Sequence, residues 1–337
     1  MFEGERFAFT GPGVMAEAML TGLLDRAGVN PDSLIASGPR PERLRELAER
    51  YGISTNTDNR AAASAATVVV MSVKPQSFPG VLEGLQGGIP AAAIVLSIVA
   101  GARLSDLTGT LGHAAAVRAM PNTPAQFGQG ITVWTATNAV SPAQREIARP
   151  VLECLGKQVL VADEDELDMA TALSGTGPAY VFLFMEALVD AGVHLGFPRR
   201  IAEQLVIQTL KGSVVFYETS PSHLARLRNQ VTLPAGTTAA ALYLLEKAGF
   251  RPATSRAVWA AYERSIQRGR GQKRAPVGPE KRLQLVNGFT KRSPSVIIPT
   301  FIPEPRDGSG ARSPRRQVCP AAAGVRPYSP IPVLEAR

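Results

Sequence analysis

The chain has few of the residues that most often do covalent or metal chemistry. Its 337 residues hold two cysteines, Cys154 and Cys319, and three histidines, His113, His194 and His223. Two distant cysteines make no disulfide framework, so a reducing, cytoplasmic setting is expected. Histidines without clustered cysteines or acids argue against a structural metal. No uninterrupted apolar run reaches the roughly 18 residues a membrane span needs, so no membrane partner is expected. The start, Met1-Phe2-Glu3-Gly4-Glu5-Arg6, carries acids and no apolar core, unlike a secretory signal.

The net charge of +8 is unevenly placed. From Arg268 onward there are 14 Lys/Arg against 4 Asp/Glu, and 11 of the 27 prolines; residues 1–267 are left at −2. Specific nucleic-acid binding by the body therefore has no electrostatic support. Residues 268–337 keep no period of 2 or 3.6 and read as a disordered, basic, Pro-rich tail.

The N-terminal part reads as alternating strands and helices. The apolar stretch Phe7-Ala8-Phe9-Thr10 runs into Gly11-Pro12-Gly13-Val14-Met15-Ala16 and then a helical stretch from Glu17 to Arg26. Strand, G-x-G-x-x-A, helix is a dinucleotide fingerprint. Gly11 permits a tight turn, Gly13 lets a pyrophosphate approach the backbone, and Ala16 lets the helix pack on the strand. A second strand ends at Ser37-Gly38-Pro39-Arg40-Pro41-Glu42-Arg43, where an NAD site would place an acid on the ribose hydroxyls. A hydroxyl and two arginines suit a 2′-phosphate instead, hence NADP(H). A helix is expected over 42–51. Thr67 to Val73 is nearly continuous in apolar residues, as in a sheet covered on both faces, and ends at Lys74-Pro75-Gln76. Further strands are expected at 93–99, 115–120, 130–135 and 158–161. Pro121-Asn122-Thr123-Pro124 makes a rigid polar corner.

From Asp163 helical patterns take over: 167–173, a break at Ser174-Gly175-Thr176-Gly177-Pro178, then 179–192, 199–217, 238–248 and 254–267. One helix start stands out. Val231-Thr232-Leu233-Pro234-Ala235-Gly236-Thr237-Thr238 places two hydroxyls beside the unpaired N–H groups of a helix N-terminus, a seat for a small carboxylate or simply a capped helix.

Taken together the motifs resemble those of the pyrroline-5-carboxylate reductase family. The resembling residues are Gly11 to Ala18, Val73-Lys74-Pro75-Gln76, Met120-Pro121-Asn122-Thr123-Pro124, Ser174 to Tyr180, and Gln230 to Thr238, in the family's order over about residues 5–267. The resemblance implies an α/β Rossmann-like doubly wound sheet (1–162), an all-α C-terminal dimerisation domain (163–267), and a homodimer that can assemble further. It implies hydride transfer from NADPH, with NADH possible, to a cyclic imine bearing a carboxylate, giving L-proline. Thr238 then faces the imine nitrogen. Gly175, Gly177, Gly236, Thr237 and Thr238 form the substrate set, with the N–H groups of Gly236 and Thr237 holding the carboxylate. Gly11, Gly13, Val14, Met15, Ser37, Arg40, Val73, Lys74, Pro75 and Asn122 form the cofactor set, and no metal is needed. The family usually has Ser-Pro-Gly-Gly where this chain has Leu233-Pro234-Ala235-Gly236, and it has no counterpart to the tail. A related imine or keto-acid reductase, or a non-catalytic NADP-binding scaffold acting through the tail, are the alternatives.

Overall fold

A computed structural model describes residues 2–220 and 222–269. Of the segment assigned to a tail, Arg268 and Gly269 are helical; 270–337 lie outside the described residues.

Eight strands form one sheet: β1 (Phe7–Thr10), β2 (Leu34–Ser37), β3 (Ser54–Asn56), β4 (Val68–Met71), β5 (Ile94–Ser97), β6 (Ala116–Met120), β7 (Gly130–Ala136) and β8 (Gly156–Leu160). Their order is β3-β2-β1-β4-β5-β6-β7-β8. The first six run parallel, β7 is antiparallel to β6, and β8 is parallel to β7. Alternation along the strands feeds two cores. Phe7, Phe9, Val68 and Val70 face one, while Ala8, Val69 and Met71 face the other. Burial on both faces is why these strands read as unbroken apolar runs.

Helices α1 (Val14–Asp25), α2 (Pro41–Tyr51), α3 (Asn59–Ala63), α4 (Phe78–Leu85), α5 (Leu104–Leu111) and α6 (Pro142–Glu153) connect the strands. Local chemistry sets their ends. Pro41 occupies the first turn of α2, and Gly52 ends it in the left-handed region (φ 68). Asp58 caps α3 by accepting from the N–H groups of Arg60 and Ala61. Ser141 and Gln144 form a capping box on α6.

The remaining described residues are helical: α7 (Glu166–Ala170), α8 (Gly177–His194), α9 (Arg199–Thr219), α10 (Leu224–Gln230), α11 (Thr237–Lys247) and α12 (Phe250–Gly269). The glycine-rich break expected between helices is corrected here. Thr171–Gly175 forms a π-helical turn that carries α7 on toward α8. The stretch Glu166–His194 is long and apolar enough to cross a membrane by length and composition. The expectation drawn from uninterrupted runs missed it because Asp168, Ser174 and the glycines punctuate an otherwise apolar average. Helix α8 packs on α9, α11 on α12, and α12 on α7 and the π-helical turn.

Candidate functional site

The sheet reverses its winding between β1 and β4, and ligands of such sheets lie beyond the strand ends at this switch point. Gly11 takes φ 78, and a Cβ there would stand 2.5 Å from Val73 Cγ1. Only glycine lets the turn lie against the segment after β4. Its N–H donates to the Ser37 carbonyl at 2.9 Å. The Ser72 hydroxyl lies 2.9 Å from the Thr10 carbonyl and 3.0 Å from that of Gly11. Gly13 caps α1 with no side-chain hydrogen bond. A Cβ on Gly13 would meet nothing closer than 3.9 Å. An open backbone beside the unpaired first-turn N–H groups of Val14, Met15 and Ala16 fits a pyrophosphate.

The residues expected at the ribose end separate. Ser37 is fully buried, its hydroxyl 3.5 Å from the Phe9 carbonyl, so it supports the turn from beneath and presents no hydroxyl to a ligand. Arg43 also turns inward. Its Nε–H donates to the Pro12 carbonyl at 3.2 Å, and its guanidinium pairs with Glu17 and Glu46. Burial raises the Glu17 carboxyl, but hydrogen bonds from Arg43 and Tyr51 outweigh it and leave the pKa below the ordinary value. Arg40 stays exposed just before α2, with no ion pair among the described residues. Asn56, at the end of β3, lies beside this edge, its carbonyl accepting from the Gly38 N–H at 3.3 Å; β3 is too short and polar to have been read as a strand. Lys74 and Pro75 are exposed beyond β4, where Lys74 precedes a short 3₁₀ turn, Pro75–Ser77.

Asn122, just beyond β6, joins the sheet to the helical part of the chain. Its amide donates to the Ser174 carbonyl at 3.2 Å, and its oxygen accepts from the Ile131 N–H at 3.0 Å. Asn122 thus fixes the π-helical turn to the end of β6. Gly175 sits where a Cβ would come within 3.0 Å of Met120 Cε, whereas Gly177 opens onto space. Asn122, Ser174, Gly177 and Tyr180 line a cavity of about 450 Å³.

The Thr237–Thr238 corner stands apart within the single chain. Gly236 caps α11, and neither threonine hydroxyl is used as a cap. The Gly236 N–H, expected as a carboxylate donor, is instead spent on the Leu233 carbonyl at 3.0 Å, closing the turn before α11. The first-turn donors left unpaired are then those of Thr237, Thr238 and Ala239. Among the described residues no hydrogen bond or ion pair links 233–238 to the sheet. Leu233 is 71% exposed, and α11 has no buried residue. Leu173, Phe182 and Leu183 of the π-helical turn and α8 are likewise exposed. No cluster of three or more metal-ligating side chains occurs among the described residues.

Two family models match. Residues 164–268 match pyrroline-5-carboxylate reductase dimerisation, and residues 6–101 match an NADP oxidoreductase, coenzyme F420-dependent family. The pyrroline-5-carboxylate reductase of Synechocystis is 40% identical over 260 residues, covering 77% of this chain and 97% of the relative. A solved pyrroline-5-carboxylate reductase from Coxiella burnetii superposes with TM-score 0.74 at 33% identity over 80% of this chain and 99% of that one. One from Plasmodium falciparum, solved with NADP bound, gives TM-score 0.73 at 30% identity over 80% and 100%. From the glycine turn to the last helix, this chain belongs to the pyrroline-5-carboxylate reductase family.

Proposed function

We propose that this chain reduces 1-pyrroline-5-carboxylate to L-proline with NADPH as the preferred reductant and NADH as the poorer one. The bound cofactor supplies the hydride; the protein supplies placement and charge. We assign residues 1–162 to nucleotide binding and 163–267 to dimerisation and substrate binding, in a cytoplasmic homodimer that can assemble further. In this reading Gly13, Val14 and Met15 hold the pyrophosphate, and Arg40 takes the 2′-phosphate. Val73, Lys74 and Pro75 border the nicotinamide. Asn122 acts through the π-helical turn carrying Gly175 and Gly177. The N–H groups of Thr237 and Thr238 hold the substrate carboxylate, and the Thr238 hydroxyl bonds the imine nitrogen. Gly236 shapes that corner by its turn.

The observation that carries this reading is the Thr237–Thr238 helix start, whose hydroxyls and N–H donors have no partner among the described residues. Its distance in contacts from the sheet of its own chain, together with the uncovered apolar surface on α8, supports a site completed by a second copy. Purified protein should oxidise NADPH only when 1-pyrroline-5-carboxylate is added and yield proline in equal amount. Folded protein that binds NADPH yet shows no such oxidation would overturn the assignment.

A second reading, a reductase for a related imine or keto acid, is favoured by one feature. Leu233 stands where the family supplies a hydroxyl, and it is largely exposed at the corner. A lost hydroxyl contact costs about 1 kcal/mol, roughly fivefold in affinity. Leu233→Ser should lower KM for 1-pyrroline-5-carboxylate by about that factor if the change is only quantitative. An unchanged KM, with faster turnover of another cyclic imine by the native chain, would favour the second reading.

A further inference from the structure

Arg118, Asp168 and Ser265 are buried to 3%, 1% and 7% exposure, and none is among the ligand groups assigned above. They come from three elements: Arg118 from β6, Asp168 from α7, Ser265 from α12. The Ser265 hydroxyl donates to Asp168 Oδ1 at 2.6 Å. Arg118 lies 3.7 Å from the same oxygen, and Arg103 lies 3.7 Å from Oδ2. Arg118 also pairs with Glu164 at 2.8 Å, and that carboxylate accepts from the Leu104 N–H at 2.8 Å.

A buried ion cluster adds little net stability over a well-packed apolar one, but it tolerates few alternative arrangements of the elements that meet there. The position of this one gives that constraint a use. Two residues beyond Arg118, β6 ends and leads to Asn122. Three residues beyond Asp168, the π-helical turn begins at Thr171. Beyond Ser265, α12 ends with Arg268 and Gly269 against Gly101, its backbone 3.5 Å from where a Gly101 Cβ would stand. Gly101 follows β5 and borders a cavity of about 680 Å³ shared with Pro75 and Gln76.

We propose that Asp168 is a positioning residue: by holding Arg118 and Ser265 on one carboxylate it sets the spacing between the Val99–Ala102 loop on the nucleotide side and the Thr171–Gly175 turn on the imine side. The kinetic part of this rests on the reductase reading; the structural part does not. Asp168→Asn, Ser265→Ala and Ser265→Thr are compared with the unaltered full-length chain. Misplacement of the two sides by a fraction of an ångström should raise KM for the imine about tenfold in Asp168→Asn, with the Kd for NADPH alone held within about twofold. Ser265→Ala should move the same way by less, and Ser265→Thr, which keeps the hydroxyl, should restore the native values. If Asp168→Asn does not fold, the Ser265 pair carries the comparison. Hydrogen exchange gives a readout independent of turnover: protection should fall together at 99–102 and 171–175. A loss confined to the neighbours of Asp168, or equal changes toward imine and NADPH, overturns the proposal. If the unaltered chain fails to turn over the imine while exchange still changes at both segments, the reductase reading falls and the positioning role stands.

Discussion

Ala235 is the only non-glycine with positive φ among the described residues, at 58°. A side chain in the left-handed region costs about 1 kcal/mol relative to glycine. The added freedom of the unfolded chain offsets part of this, so Ala235→Gly should raise the unfolding free energy by about 0.5 kcal/mol, and a lower urea denaturation midpoint would contradict it. In the proposed nucleotide site, Arg40 is the exposed cation assigned to the 2′-phosphate. Arg40→Ala should remove about 1.5–3 kcal/mol of NADPH binding and leave NADH nearly unaffected, so the ratio of kcat/KM for the two cofactors falls tenfold or more. Cys154 is buried, and burial pushes its thiol from 9.0 up to about 11. The unfolded chain ionises first as pH rises, so the stability this thiol confers is intact below pH 9 and lost between about 9 and about 11. Denaturation midpoints of Cys154→Ala should decline less than those of the native chain over that window. At this scale much was legible. The glycines showed themselves because turns need φ > 0 and close approach. Burial was not visible, so the orientations of Ser37 and Arg43 could not be read from the residues that surround them in sequence.

Elements were legible where one force dominated. The strands from β1 to β6, apart from β3, show as apolar runs because both faces are covered. Helix α6 is hidden by Pro150 inside it, a residue that ordinarily ends a helix, α3 is only five residues long, and α4 and α5 are short and glycine-bearing. The π-helical turn escaped because serine, glycine and proline in one stretch read equally as a break. The α1–α2 contact makes a prediction of its own. Arg43 holds the glycine loop through the Pro12 carbonyl and Glu17. Arg43→Ala should weaken NADPH and NADH alike, unlike Arg40→Ala, with titration by cofactor fluorescence as the measurement. The carboxyl of Glu17 is held below its ordinary value, so its contribution to stability is present above pH 4.5 and lost as pH falls through the lowered folded value.

At the scale of the whole molecule the described residues leave apolar surface open. The glycine turn and the Asn122 cavity follow the carboxyl ends of β1 and β6, while among the described residues Thr237 and the outer apolar side chains of α8, Phe182 and Leu183, stay exposed. An apolar helix long enough to span a membrane, yet sitting inside residues that match a dimerisation family, is accounted for by a second copy. The sequence showed the glycine turn and the threonine corner but not their lack of contact within the described residues, since pattern along a chain carries no information about which surfaces meet. The most direct test is subunit complementation. Gly13→Glu blocks the pyrophosphate turn, and Thr238→Ala removes the imine partner; each variant alone should be inactive. Co-expressed, half of the dimers are mixed and one of their two sites is intact, so the NADPH-oxidising activity should return to about a quarter of native. Mixed dimers that form, as shown by two affinity tags, yet remain as inactive as either parent would contradict a site shared between copies.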